Sequence, residues 1–101
     1  MRERQVDFAP EAVEDLIRLY DWIADAASPE TAIRYIDRLE AYCRGMGHAA
    51  ERGHQRDDIR PGLRIAGFER RVTMAFTVTD TRVTILRVFY GGRNWEALIE
   101  E

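Results

Sequence analysis

The segment Val83-Thr84-Ile85-Leu86-Arg87-Val88-Phe89-Tyr90 limits the possible folds more than any other stretch of the chain. It is rich in β-branched and aromatic residues, and its apolar side chains fall on both faces of an extended backbone. Such a strand is covered on two sides, so the run Arg82 to Tyr90 is expected in the middle of a sheet. It also carries a charge, Arg87, between Leu86 and Val88. A charge there is costly unless it is paired or lines a site. The strand ends at Gly91-Gly92, where the backbone can turn as a residue with a Cβ cannot. Arg93-Asn94-Trp95 follow.

Periodicity supplies the other elements. Residues 4–9 alternate around Val6 and Phe8 and read as a short strand. Pro10 suits a first helical turn, and Glu11 and Glu14 suit the positive end of a helix dipole. Val13, Leu16, Ile17, Tyr20 and Ile23/Ala24 then repeat at helical spacing, which predicts a helix over about 10–26 with that stripe as its core face. Ser28-Pro29-Glu30-Thr31 is a second helix start, with Ser28 as the cap. The stripe Ala32, Ile33, Ile36, Leu39, Cys43, Met46 carries that helix to about residue 48. Gly45 and Gly47 near its end each cost roughly 1 kcal/mol against alanine inside a helix, so either the helix frays there or the sheet packs close against it. The link at 27–28 is short enough to make the two helices an antiparallel hairpin.

Residues 49–62 are polar and read as a loop. Leu63 to Phe68 is a short strand, and Arg70 to Thr79 a stronger one with Val72, Met74, Phe76 and Val78 on one face. Asp80-Thr81 form the turn into Arg82 to Tyr90, and residues 94–99 suit a short final helix. The expected architecture is α+β: an N-terminal strand, an antiparallel helix hairpin, a three-stranded antiparallel meander and a short C-terminal tail, as one domain over 1–101.

No apolar run approaches the ~20 residues of a membrane span, and Met1 to Gln5 has no signal-peptide character, so a cytoplasmic protein is expected. The net charge of −3 argues against general attraction to nucleic acid. All 15 basic residues are arginines. This reflects either base composition or a use for planar, permanently charged forks. The lone cysteine, Cys43, lies on an apolar stripe and reads as a buried thiol. His48 and His54 match no metal-ligand spacing, and no metal or cofactor is expected.

Several segments together carry a family resemblance. They are Ala9-Pro10-Glu11-Ala12 after the first strand, Tyr35-Ile36-Asp37-Arg38-Leu39, Arg60-Pro61-Gly62-Leu63-Arg64, and Ile85-Leu86-Arg87-Val88 with Gly92-Arg93-Asn94. In order and spacing the chain resembles the RelE/ParE superfamily of small bacterial toxins, and within it the ParE branch. Histidine is common in that family where Tyr90 stands, and aspartate where Asn94 stands. The resemblance implies a toxin of a type II toxin–antitoxin pair that inhibits DNA gyrase and is neutralised by a ParD-like antitoxin. Such a toxin is no enzyme and needs no direct nucleic-acid contact. RelE-like relatives instead cut messenger RNA on the ribosome, and a third reading is an inactive homologue that acts only in an antitoxin complex.

For gyrase the candidate contacts are Arg87, Tyr90, Arg93 and Trp95, residue types that anchor protein interfaces. In the alternative, Arg87 pairs with a core carboxylate such as Asp37 or Asp7, and Trp95 covers the sheet edge. A ribonuclease reading draws, by position in the family, on Arg71, Tyr90 and Arg93, with Asp57 or Asp58 in the preceding loop. Against it, a tyrosine with the ordinary pKa of ~10 is a poor base. The chain also lacks a lysine cluster, and its last residues are acidic. The Arg56-Asp57-Asp58 run reads as a self-compensating loop. For the antitoxin, Leu19, Trp22 and Ile23 form a second row on helix one, which either stays exposed for a partner helix or packs on the sheet.

Overall fold

The computed structural model describes residues 3–48 and 53–91. The chain runs β1 (Gln5–Phe8), α1 (Pro10–Ala26), α2 (Pro29–Gly45), β2 (His54–Gln55), β3 (Leu63–Phe68), β4 (Val72–Val78) and β5 (Arg82–Tyr90). The strands form one sheet in the order β1-β5-β4-β3-β2. β1 pairs parallel with β5, from Gln5↔Arg82 to Phe8↔Ile85, and the other neighbours are antiparallel. β5 is therefore central, as its two-sided apolar pattern requires.

Both helix starts follow their sequence signals. Pro10 and Pro29 occupy first-turn positions, and the Ser28 hydroxyl accepts the Thr31 backbone N–H at 3.1 Å. The end of α2 differs from expectation: the helix stops at Gly45 rather than near 48. Backbone bonds from Met46, Gly47 and His48 to residues three back tighten the last turn. The segment entering β1 causes this. Arg4 donates its N–H to the Gly47 carbonyl at 2.8 Å, and a Cβ on Gly47 would sit 2.5 Å from the Arg4 carbonyl oxygen. Only glycine lets the two backbones meet there.

Two strand boundaries also shift. β4 begins at Val72, not Arg70, because Glu69 and Arg70 make the β3–β4 turn with φ of 49° and 64°. Left-handed φ at both central positions matches the twist of a tight hairpin but suits glycine or asparagine better. The segment expected to be all loop contains β2, a two-residue edge strand with both residues exposed. It is too short for any alternation to show. The β4–β5 turn falls at Asp80-Thr81 as expected, and there the Thr79 hydroxyl accepts the N–H groups of Thr81 and Arg82.

The helices cover one face of the sheet. Register places Val72, Met74 and Phe76 of β4 with Val83, Ile85 and Val88 of β5 and Ala66 and Phe68 of β3 in the core beneath them. Leu63, Ala75 and Phe89 fall on the other face and are buried too. From α2, Ala32, Leu39 and Cys43 enter the core, while Ile33 is 51% exposed. The core row of α1 matches the expected one only in part, at Ile23 and, less deeply, at Leu16, Tyr20 and Ala24. Ala12, Asp15, Leu19 and Ile23 are buried, whereas Val13 and Ile17 are 44% and 56% exposed. Leu16, Tyr20 and Ala24 are partly buried against the core. The helix is turned about its axis relative to its largest apolar residues, and an acid occupies a core position.

One irregularity in the sheet accounts for that acid. Phe76 pairs with Ile85 but Ala75 pairs with Arg87, so Leu86 is an extra residue in β5. A bulge of this kind reverses the facing of everything after it. Without it Arg87 would lie in the core beside Ile85. With it, Val88 takes the core position and Arg87 moves to the opposite face.

Replacing Arg70 by glycine removes the left-handed strain at an exposed position. Urea denaturation of Arg70→Gly is expected to show a gain of about 1 kcal/mol with an unchanged m-value.

Candidate functional site

β1 ends at Phe8, one pair short of the bulge, and leaves the outer edge of β5 open beyond Ile85. Asp15, one and a half turns into α1, fills that gap. Its carboxylate accepts the Val88 backbone N–H at 2.9 Å and the Arg87 guanidinium at 2.8 and 3.1 Å. Arg87 reaches it around the open edge and also lies over the Phe89 ring, 4.9 Å from its centre. Bonding to Asp15 raises the Arg87 pKa above its ordinary value. Neither expected partner of Arg87 is the observed one: Asp7 pairs with Arg82, and Asp37 is exposed on α2. The signal for Asp15 was present in the sequence. It is an acid at core spacing between Ala12 and Leu19, matching a base at core spacing in β5.

Beside this pair the molecule opens into two clefts that share one wall. The indole of Trp22 and the ring of Tyr90 meet at 4.6 Å between centroids, tilted by 47°. On one side a cleft of about 240 Å³ is lined by Asp15, Arg18, Leu19, Trp22, Val88 and Tyr90. On the other a cleft of about 310 Å³ lies between the end of α1, the start of α2 and the β3–β4 turn. Its walls include Trp22, Ile23 and Thr31, the arginines Arg34, Arg38 and Arg71, and the tyrosines Tyr35 and Tyr90. Arg71 donates to the Tyr90 hydroxyl at 3.4 Å, and Arg38 makes a two-pronged pair with Glu69 at 3.0 and 3.1 Å. That pairing holds Glu69 below the usual carboxylate range.

Of the residues singled out from the sequence, Arg71 and Tyr90 come together in the larger cleft. Trp22 is 53% exposed, while Leu19 and Ile23 beside it pack into the core, so the three do not form one exposed row. Leu19 still contributes to the floor of the smaller cleft. Gly91 takes a φ of 77° and donates to the Arg71 carbonyl, which makes the turn expected after β5. Gly92, Arg93, Trp95 and the expected final helix lie outside the described residues. Asp58 pairs with Arg56, which holds its pKa below the usual range, and Asp57 accepts from Gly62 and Gln55. The loop compensates its own charge, as anticipated. Burial pushes the Cys43 thiol up to about 12, and it donates to the Met74 sulfur at 3.2 Å, which makes it a structural group. His48 lies 3.8 Å from Glu3, and the described residues contain no cluster able to hold a metal ion. Sequence reading missed Arg34, Tyr35 and Arg38, because only the fold brings that face of α2 to Arg71.

Residues 6–95 match the family model of the ParE toxin of type II toxin–antitoxin systems, parDE. The chain belongs to this family. Among solved structures, its fold is similar to a chain of the chromosomal ParDE toxin–antitoxin system from P. aeruginosa. The TM-score is 0.76 at 23% identity, covering 88% of this chain and 97% of that one. It is also similar to a chain of the RelBE2 toxin–antitoxin complex from Mycobacterium tuberculosis. There the TM-score is 0.66 at 20% identity, covering 92% and 97%. No curated protein sequence matches the chain. Both likenesses bear on the fold, which is that of ParE- and RelE-type toxins. No helix among the described residues is long and apolar enough to cross a membrane.

Asp15 answers a charge and a backbone N–H at once, and is itself buried. Asp15→Asn keeps the shape but leaves the Arg87 charge without its counter-ion. The loss expected in chemical denaturation is about 3–5 kcal/mol, against less than about 1 kcal/mol for Glu14→Gln, whose contact with Arg18 is exposed.

Proposed function

We propose that this ParE-family chain arrests growth by binding DNA gyrase and is held inactive by a ParD-like antitoxin. The observation that carries the reading is the family match across residues 6–95. Inhibition by binding asks no chemistry of the toxin, only a surface with anchoring side chains. Tyr90 at the end of β5, and Arg93 and Trp95 just after it in sequence, supply the residue types that dominate such interfaces. Arg87 has a different part in this reading: committed to Asp15, it fixes the end of the strand that presents Tyr90. The antitoxin contact centres on Trp22, whose exposed indole stands between two clefts and offers an amphipathic helix an apolar anchor point.

The purified, antitoxin-free protein is expected to abolish gyrase supercoiling and to accumulate cleaved DNA. The double variant Arg93→Ala/Trp95→Ala is expected to keep its far-UV spectrum and lose at least about tenfold in inhibitory potency. Full potency in the folded double variant would remove these residues from the target surface. Trp22→Glu is expected to weaken binding of the cognate antitoxin by about 2 kcal/mol or more in calorimetry while leaving gyrase inhibition in place.

A second reading, ribosome-dependent cleavage of messenger RNA, draws on the contact between Arg71 and the Tyr90 hydroxyl. An unaffected gyrase, together with messenger RNA cut on ribosomes and spared by Arg71→Ala, would replace the first reading with the second.

A further inference from the structure

The larger cleft has a feature that inhibition by surface contact does not use. Three guanidinium groups line it, and among the described residues only that of Arg38 is matched by a carboxylate, Glu69. Arg71 meets a neutral hydroxyl, and Arg34 has no ion pair among the described residues. The Tyr35 hydroxyl is shielded from solvent and has no hydrogen-bond partner among the described residues, although nearly all buried polar atoms in native proteins have one. It lies within electrostatic reach of Arg38, Arg71, Glu69 and Tyr90. Ala27 and Thr31 place the first turn of α2 on the same wall, adding the positive end of a helix dipole. A surplus of fixed positive charge thus gathers in a protein whose net charge is −3.

We propose that this cleft binds a nucleotide through its phosphate, with Arg34 and Arg71 gripping the oxygens. Forked guanidinium donors match phosphate geometry. The cleft, about 310 Å³, is far larger than one phosphate requires, and the rest of its wall suits a base. The rings of Trp22 and Tyr90 offer flat apolar surface for stacking, and Ile23, Ala26 and Ala27 leave room beside them. A carboxylate alone would use fewer donors than converge here and would leave the aromatic wall bare. Tyr90 belongs also to the proposed gyrase surface and, with Arg71, to the ribonuclease reading, but phosphate binding is read out without gyrase or ribosomes, so its failure is separate from theirs. The ligand is one phosphate ester with two sources, a free nucleotide or one unit of a strand.

The test is an NMR titration of the full-length, antitoxin-free chain at low salt with adenosine, inorganic phosphate, AMP and a short oligoribonucleotide. AMP is expected to shift the resonances of Trp22, Tyr35 and Tyr90 more strongly than inorganic phosphate, adenosine to shift none, and added salt to reverse the effect. Arg34→Gln and Arg71→Gln should each weaken AMP binding about tenfold or more. Arg44→Gln, which removes the same charge elsewhere on α2, should leave it unchanged. Circular dichroism of each variant separates loss of binding from loss of fold. Tighter binding of the oligoribonucleotide than of AMP at the same resonances identifies a strand as the source, and equal or weaker binding identifies the free nucleotide. No shift with any phosphate-bearing probe at millimolar concentration overturns the proposal, as does AMP binding undiminished in folded Arg34→Gln and Arg71→Gln.

Discussion

The pair of Asp15 and Arg87 ties together features that would otherwise each be a defect. A helix with an acid in its core row, a strand with a base among apolar residues, and a sheet edge with an unpaired N–H are all unfavourable alone. Here one carboxylate answers the guanidinium and the Val88 N–H together. The bulge at Leu86 is the condition for it, because it takes Arg87 off the core face and brings Val88 into the core. The early end of β1 is the other condition, because it leaves the edge of β5 free for α1 to approach. The rotation of α1 follows, since Asp15 can face β5 only if Val13 and Ile17 turn outward.

That rotation also shapes the surface. With Leu19 and Ile23 drawn inward by the same turn, Trp22 is left standing beside Tyr90, and the pair becomes the wall between two clefts. One cleft is floored by the Asp15 region and carries an acid and a base, Asp15 and Arg18. The other draws its charge from α2 and from the turn between β3 and β4. A ParE-family toxin thus presents two chemically different recesses on either side of a single aromatic contact, both positioned by the last strand.

Much of the fold was legible from the sequence because it rests on strong local signals. Proline and serine at Pro10, Ser28 and Pro29 set the helix starts, and alternation set β3, β4 and β5 to within two residues. The failures have physical causes. Val13 and Ile17 outweighed Ala12 and Asp15 in any reading of periodicity, yet a small residue and a paired acid are what a closely packed helix needs against β5. Positive φ at Glu69 and Arg70 leaves no mark in residue types that seldom adopt it. β2 is an edge pair whose partner alone defines it. The site was legible in part: Arg71 and Tyr90 were placed by family position, whereas Arg34, Tyr35 and Arg38 join them only through packing of the helix hairpin on the sheet. The partner of Arg87 was sought in the wrong acids because a carboxylate at the α1 core face reads as an interruption of the stripe.

The parallel pairing of β1 with β5 joins the first and last strands among the described residues. The helix hairpin and the β3–β4–β5 meander are built from neighbours in sequence, and either can begin to form as soon as its own residues are free. The pairing of β1 must instead close a loop spanning most of the chain, and the ordering entropy of that closure comes before any reward from the contacts it makes. Until Arg82 to Val88 are in place, β1 has no neighbour and Asp15 has no partner. On the ribosome the nascent chain is therefore an unfinished sheet until β5 has emerged. The aromatic wall and both clefts come into being only with that last step of assembly.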